Sequence, residues 1–148
     1  MGKLARLTSA MLVGVLAAQM MAAAAKADPA TSAVAICSYH TSVTGELGGS
    51  IRVPATSSGS STYCNLRRGN FTRGVAILQQ TLREIYDQPI AVDQDFGPAT
   101  EQALKNVQRR FKITADGVYG PQTRDHLCWQ TTPNEGCSWY PAGKDGPG

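Results

Sequence analysis
The chain has little that can carry metal or nucleophile chemistry. It holds only 2 histidines in 148 residues. Neither His40 nor His126 sits in a His-x-x-x-Asp or His-Glu-x-x-His pattern. Its 4 cysteines contain no Cys-x-x-Cys pair, and their long, irregular spacings argue against a metal site. Aromatic residues are 7% and charged residues 17%, with 15 Gly and 8 Pro. That is a globular composition with loop-rich margins, not a collagen-like or uniformly disordered one. The length fits one ordinary domain and excludes a large multidomain enzyme.

Beyond the first thirty residues there is no long apolar run. Within them, Lys3 and Arg6 precede the unbroken apolar stretch Ala10 to Ala18, and small residues follow as far as Ala25-Lys26-Ala27. This pattern reads as a secretory signal peptide over residues 1–27, cleaved after Ala27. Gln19 and Lys26 interrupt the stretch before it reaches the ~20 residues a membrane span needs. No cysteine follows it closely, and no twin arginine precedes it. Neither a Leu-Pro-x-Thr-Gly sorting signal nor a hydrophobic tail closes the sequence.

The apparent basic character goes with the leader. The formal charge is +3, but Lys3, Arg6 and Lys26 lie in the leader and all 11 acidic residues lie beyond it. The remaining 11 basic residues balance the 11 acidic ones, so the mature chain is neutral. A nucleic-acid partner held by a basic field is therefore not expected, nor is a membrane partner once the leader is gone.

An even cysteine count behind an export signal reads as two disulfides. Three pairings are open. Cys37–Cys64 with Cys128–Cys137 is favoured, because each bridge then staples one margin of the chain.

The mature sequence divides in two. Residues 28–65 form a Ser/Thr/Gly-rich arm or small disulfide-tied lobe. It holds two short candidate strands, Ala33 to Tyr39 and Ile51 to Val53, which can form a hairpin turning near Gly45 to Gly49. From Thr72 the periodicity becomes helical. Val75, Leu78, Leu82 and Ile85 share one face, Thr72 is an N-cap, and Pro89 closes the element. A second helix begins at Pro98 and carries Ala99, Ala103, Val107 and Phe111. A third runs from Pro121 to about Leu127.

The most informative feature is an internal repeat. Asp93-Gln94-Asp95-Phe96-Gly97-Pro98-Ala99-Thr100 recurs as Asp116-Gly117-Val118-Tyr119-Gly120-Pro121-Gln122-Thr123, at an offset of 23 that Leu104 and Leu127 keep. Each copy has its own physical logic. The Asp accepts backbone N–H bonds in a tight turn, and the aromatic anchors the turn. The Gly permits an unusual backbone or caps the coming helix, and the Pro starts it. The Thr bonds local backbone. Asp93, Gly97, Pro98, Thr100, Asp116, Gly117, Gly120, Pro121 and Thr123 are thus structural residues of a turn-plus-helix unit used twice.

This pattern resembles the peptidoglycan-binding module found beside many bacterial cell-wall hydrolases, whose repeated signature is Asp-Gly-x-aromatic-Gly-Pro-x-Thr. Residues 116–123 match it throughout, whereas residues 93–100 depart at Gln94, where Gly is usual. Leu78-Gln79 and Val107-Gln108 resemble the family's helix pattern, and Leu66, Gly69 and Gly74 its lead-in. The Ser/Thr-rich lead also looks like small secreted actinobacterial proteins carrying the module. The resemblance covers about residues 66–128. It implies a mainly α fold, a compact three-helix bundle of two half-repeats spanning residues 66–130. The Ser/Thr/Gly-rich arm precedes it, and a Pro/Gly-rich tail, 131–148, follows.

The resemblance also implies a secreted, wall-associated monomer that binds peptidoglycan, through its glycan strand or stem peptide, with no cofactor, no metal and no catalytic residue. Gln79, Gln102, Gln108 and Arg124 are candidate polar ligand contacts. Phe96, Tyr119 and Trp129 serve either as core anchors or as ligand platforms. Arg109, Arg110 and Lys112 form either a solvated face or an attractor for anionic wall polymers. One alternative is a small cell-wall hydrolase with unrecognised catalytic residues. For it, Asp93, Asp95 and Asp116 are the carboxylate candidates, and Cys37 near His40 the nucleophile candidate. The other is a protein-interaction or accessory module serving a separate hydrolase.

Overall fold
The structure, a computed structural model, describes residues 34–141. The expected signal peptide and the last seven residues of the expected tail lie outside the described residues. In chain order the elements are β1 (Tyr39–Thr44), β2 (Ser50–Ala55), α1 (Arg73–Glu84), α2 (Pro98–Arg110), α3 (Pro121–His126), β3 (Cys128–Thr132) and β4 (Cys137–Trp139).

The helices start for local reasons. Thr72 caps α1, its Oγ1 accepting the Val75 N–H at 3.2 Å. The apolar spacing then buries Val75, Leu78 and Leu82 completely. Burying a Leu side chain is worth about 1.5–3 kcal/mol, so this face holds the helix down more firmly than propensity does. α2 and α3 each open on a Gly with extended backbone followed by Pro at the first helical position. α2 buries Ala103, Leu104 and Val107, while Ala99 stays exposed and Phe111 packs half-buried at its end.

The fold is not the mainly α three-helix bundle that the sequence suggests. Beside the three helices stands a four-stranded antiparallel sheet in the order β1-β2-β3-β4. β1 and β2 form a hairpin, from Tyr39 opposite Ala55 to Thr44 opposite Ser50, and Gly45 N–H to Gly49 O, 3.0 Å, closes its turn. β3 and β4 form a second hairpin inside the stretch read as the end of the domain and its tail. The two hairpins join where Ser50 faces Thr132 and Ile51 faces Thr131. Glu46 N–H donates to Trp139 O at 3.0 Å, which lays the first turn against β4.

The physical reason for the correction is separation along the chain. β3 is short and mixed in polarity, so nothing local marks it as a strand. It is defined by pairing with β4 just after it and with β2 some eighty residues earlier, and single-sequence periodicity cannot register the distant pairing that joins it to the sheet.

One disulfide closes the segments flanking the β1–β2 hairpin onto each other, and the other cross-links β3 to β4. Cys37 bonds Cys64 with a Cα–Cα distance of 5.1 Å, and Cys128 bonds Cys137 at 5.4 Å. The N-terminal segment also touches α1 directly. Thr72 Oγ1 donates to Cys37 O at 2.9 Å. A Cβ at Gly74 would lie 2.2 Å from the same carbonyl oxygen, so only glycine permits this approach. The core between helices and sheet is built from Leu66, Phe96, Tyr119, Leu127 and Trp129, with Tyr119 and Trp129 edge to face at 5.9 Å.

Candidate functional site
The duplicated motif forms two turns organised alike, each around a buried glutamine. Gln79 of α1 is 1% exposed. Its Nε2 donates to Asp93 Oδ1 (2.8 Å), Asp95 O (2.9 Å) and Thr100 Oγ1 (3.0 Å). Its Oε1 accepts the N–H groups of Asp93 (3.1 Å) and Gln94 (3.0 Å). Gln108 of α2, also 1% exposed, repeats the arrangement. Its Nε2 donates to Asp116 Oδ1 (3.0 Å), Val118 O (3.0 Å) and Thr123 Oγ1 (3.2 Å), and its Oε1 accepts Gly117 N–H at 2.9 Å. Each carboxamide thus replaces the water that a tight turn's polar groups would otherwise need. The hydrogen bond from Gln79, then that from the Asp95 backbone, holds the Asp93 carboxyl below its usual range.

Both turns hang on the lead-in segment. Leu66 and Tyr119 exchange backbone hydrogen bonds at 2.9 and 2.8 Å. Phe96 N–H donates to Asn70 O at 2.9 Å, and Thr72 N–H to Gln94 O at 3.1 Å.

These contacts place most of the candidate ligand residues inside the molecule. Gln79, Phe96, Gln108, Tyr119, Arg124 and Trp129 are buried. The Trp129 indole donates to Arg124 O at 3.0 Å. The Arg124 guanidinium lies over the Tyr140 ring at 4.0 Å and donates to Thr62 and to Asp125 Oδ1. Gln102 alone of the seven is exposed.

Gln102 lines a cleft of about 180 Å³ between α2 and the loop that follows α1. The other lining residues are Gln88, Pro89, Ile90, Ala99, Ala103 and Asn106. Its polar side is a chain of carboxamides. Gln88 donates to Tyr86 O at 2.9 Å and accepts from Asn106 Nδ2 at 3.1 Å. Asn106 Oδ1 in turn accepts from Gln102 Nε2 at 3.0 Å and from Arg109. Gln102, Asn106 and Arg109 stand at i, i+4 and i+7 on one face of α2. Pro89, Ile90, Ala99 and Ala103 supply the apolar surface beside them. Such a cleft suits a flat, amide-bearing ligand laid across it.

Sequence reasoning reached Gln102 but missed Gln88, Pro89, Ile90 and Asn106. Asn106 was available as the i+4 neighbour of Gln102. The loop residues carry no motif, and they reach α2 only because the chain folds back past Asp87, whose φ is +54°.

The remaining candidates lie elsewhere. Asp95 and Asp116 are exposed in the turns, and Asp116 Oδ1 accepts Val118 N–H at 2.8 Å. His40 lies on β1, stacked on Tyr39 at 4.7 Å, and burial together with the nearby Arg52 and Arg73 lowers its pKa. Cys37 is in its disulfide. Among the described residues, no group of three or more His, Cys, Asp and Glu gathers as a metal site would.

Residues 72–127 match the family described as "Putative peptidoglycan binding domain". Among solved structures, the chain is similar to a peptidoglycan-binding protein from Clostridioides difficile in complex with glutamine hydroxamate. The identity is 27%, over 50% of this chain and 42% of that one, with a TM-score of 0.42. It is also similar to the SleB N-terminal domain, at 31% identity over 43% of this chain and 88% of that one, with a TM-score of 0.41. The chain thus spans less than half the length of the Clostridioides difficile protein. No curated protein matches it.

Proposed function
We propose that this chain, whose residues 72–127 are a peptidoglycan-binding-like domain, is a secreted, non-catalytic protein that binds the peptidoglycan of the bacterial wall. One observation carries the reading: the matched span contains both glutamine-centred turns and the whole amide-lined cleft. The turns fix α1 and α2 against each other, and the cleft is the exposed product of that arrangement. Its carboxamides and short aliphatic surface fit a polymer of amides and hydroxyls.

Two disulfides support an oxidising compartment outside the cytoplasm, as does the leader expected over residues 1–27. A non-catalytic role is favoured by the carboxylates at hand. Asp93 and Asp116 each accept a glutamine amide and a turn N–H, which accounts for them as parts of the turns. The mature chain's neutral charge supports a partner other than nucleic acid. Among the described residues no helix is long and apolar enough to cross a membrane. The protein works as a monomer, each copy engaging the polymer separately.

The test is co-sedimentation of the oxidised mature protein with sacculi stripped of anionic polymers, with turbidity followed in parallel. Protein in the pellet at constant turbidity is the expected result. Protein that stays in the supernatant overturns the reading, and falling turbidity replaces it with a hydrolase.

A further inference from the structure
Resting on the reading of the cleft as the wall-facing site, we infer that its ligand is the acidic stem peptide of the polymer and not the glycan strand. Three features of the cleft point to a peptide.

The first is what forms its apolar surface. Pro89, Ile90, Ala99 and Ala103 are aliphatic, and no lining residue is aromatic. A sugar ring is ordinarily held by stacking its face on an aromatic one. The exposed aromatics Tyr39, Tyr63, Phe71 and Trp139 all lie outside this lining. Small aliphatic side chains next to amides suit the Cα substituents and planar amide groups of a short peptide.

The second is the unused hydrogen-bonding capacity of Gln102. A carboxamide has two N–H donors and an acceptor oxygen. Gln102 gives one N–H to Asn106 Oδ1, which fixes its orientation. Its Oε1 and second N–H remain to meet the N–H and C=O of a peptide unit. Asn106 is already committed on both sides, to Gln88 and to Gln102 and Arg109, so it orients its neighbours.

The third is a charge beside the cleft, on a residue bonded to its lining though not itself part of it. Arg109 is exposed and makes no ion pair among the described residues, and its guanidinium is steadied by Asn106 Oδ1. Beside it in sequence, Arg110 lies over the Tyr86 ring at 5.8 Å and donates to Tyr86 O at 3.5 Å. The α1–α2 loop carries three acids, Asp87, Asp93 and Asp95, of which Asp93 is taken up by Gln79. A free carboxylate on an acidic peptide can dock on the Arg109 fork in bidentate fashion, which a glycan strand whose lactyl carboxyls are tied up as amides cannot do.

The test uses the oxidised full mature chain and three probes: intact sacculi, soluble amidase-released glycan strands whose freed lactyl carboxylates are capped as amides, and a soluble acidic stem tripeptide. The protein should pellet with intact sacculi, and be displaced from them by the tripeptide but not by the capped strands. Gln102→Leu and Arg109→Gln should each weaken tripeptide binding about tenfold, the scale of one lost hydrogen-bonded contact. Both substitutions are at exposed positions, so unchanged circular dichroism and Tm should accompany the loss. Displacement from intact sacculi by the capped strands overturns the peptide assignment and leaves wall binding standing. Wild-type affinity in both variants likewise overturns it. Failure to pellet with intact sacculi removes the underlying reading and the inference with it.

Discussion
The two copies of the motif differ at one residue in a way that measures what a turn costs. Gly117 has φ +74° and Gln94 has φ +69°, so both occupy the left-handed region. For a non-glycine residue that region costs roughly 1–2 kcal/mol. Space explains why only the first copy tolerates a side chain. A Cβ on Gly117 would lie 2.8 Å from both Glu101 Cγ and Lys105 Cε, whereas Gln94 is exposed. The hydrogen bond that matters, Gln94 N–H to Gln79 Oε1, belongs to the backbone and survives substitution. Gln94→Gly should therefore stabilise the protein. The strain relieved exceeds the ~0.4–1 kcal/mol of extra unfolded-state entropy that glycine brings, leaving a net gain of about 0.5–1 kcal/mol. Urea denaturation checks this, and a lowered midpoint would mean that the turn is unstrained.

At the scale of elements, α1 depends on a cap with two functions. Thr72 Oγ1 accepts the Val75 N–H and also donates to Cys37 O, so it both starts the helix and ties down the N-terminal segment. Thr72→Ala removes both and should cost about 1–2 kcal/mol in chemical denaturation, whereas Thr72→Ser keeps the hydroxyl and should lose much less. Equal losses in the two variants would show that the methyl group, not the hydroxyl, matters. The cap was legible because capping is local, and so were the proline starts of α2 and α3. Gln79 and Gln108 stood out in the sequence through their helix pattern. That pattern reports that a residue recurs, not whether it faces a ligand or a turn, and here both amides face turns. The sheet was not legible as a whole. Ile51 and Val53 alternate as a strand should, but β3 has no such pattern and exists through its contacts with β2 and β4. The cleft was half legible for the same reason. Gln102 and Arg109 lie on a readable helix face, but Gln88 and Ile90 reach it through a loop that no periodicity describes.

For the molecule as a whole, the question is how the segments before and after the matched span are fastened to it. Arg124 occupies that junction. It sits on α3 at 2% exposure, and its guanidinium meets Thr62 from the N-terminal side and the Tyr140 ring from the C-terminal side. Thr62 Oγ1 and Tyr140 Oη are themselves 3.0 Å apart, so one buried cation closes a triangle of three distant stretches of chain. Residue type alone would suggest Arg124 as a ligand clamp, because a guanidinium suits carboxylates. Burial reverses that expectation, since a guanidinium enclosed by the Asp125 carboxylate, a hydroxyl, a carbonyl and an aromatic face is already satisfied. Arg124→Met keeps much of the volume and removes the charge and its hydrogen bonds. The expected loss is about 2–4 kcal/mol, from charged hydrogen bonds worth ~1.5–3 kcal/mol and a desolvated cation–π contact worth ~2 kcal/mol, not fully additive. Urea denaturation would read that loss. Co-sedimentation with sacculi, at a temperature where the variant is folded, should show binding per folded molecule unchanged, because none of the residues around Arg124 lines the cleft. If stability held and binding fell instead, Arg124 would have to leave the junction to meet ligand. The structure would then need a second conformation in which Thr62 and Tyr140 release it.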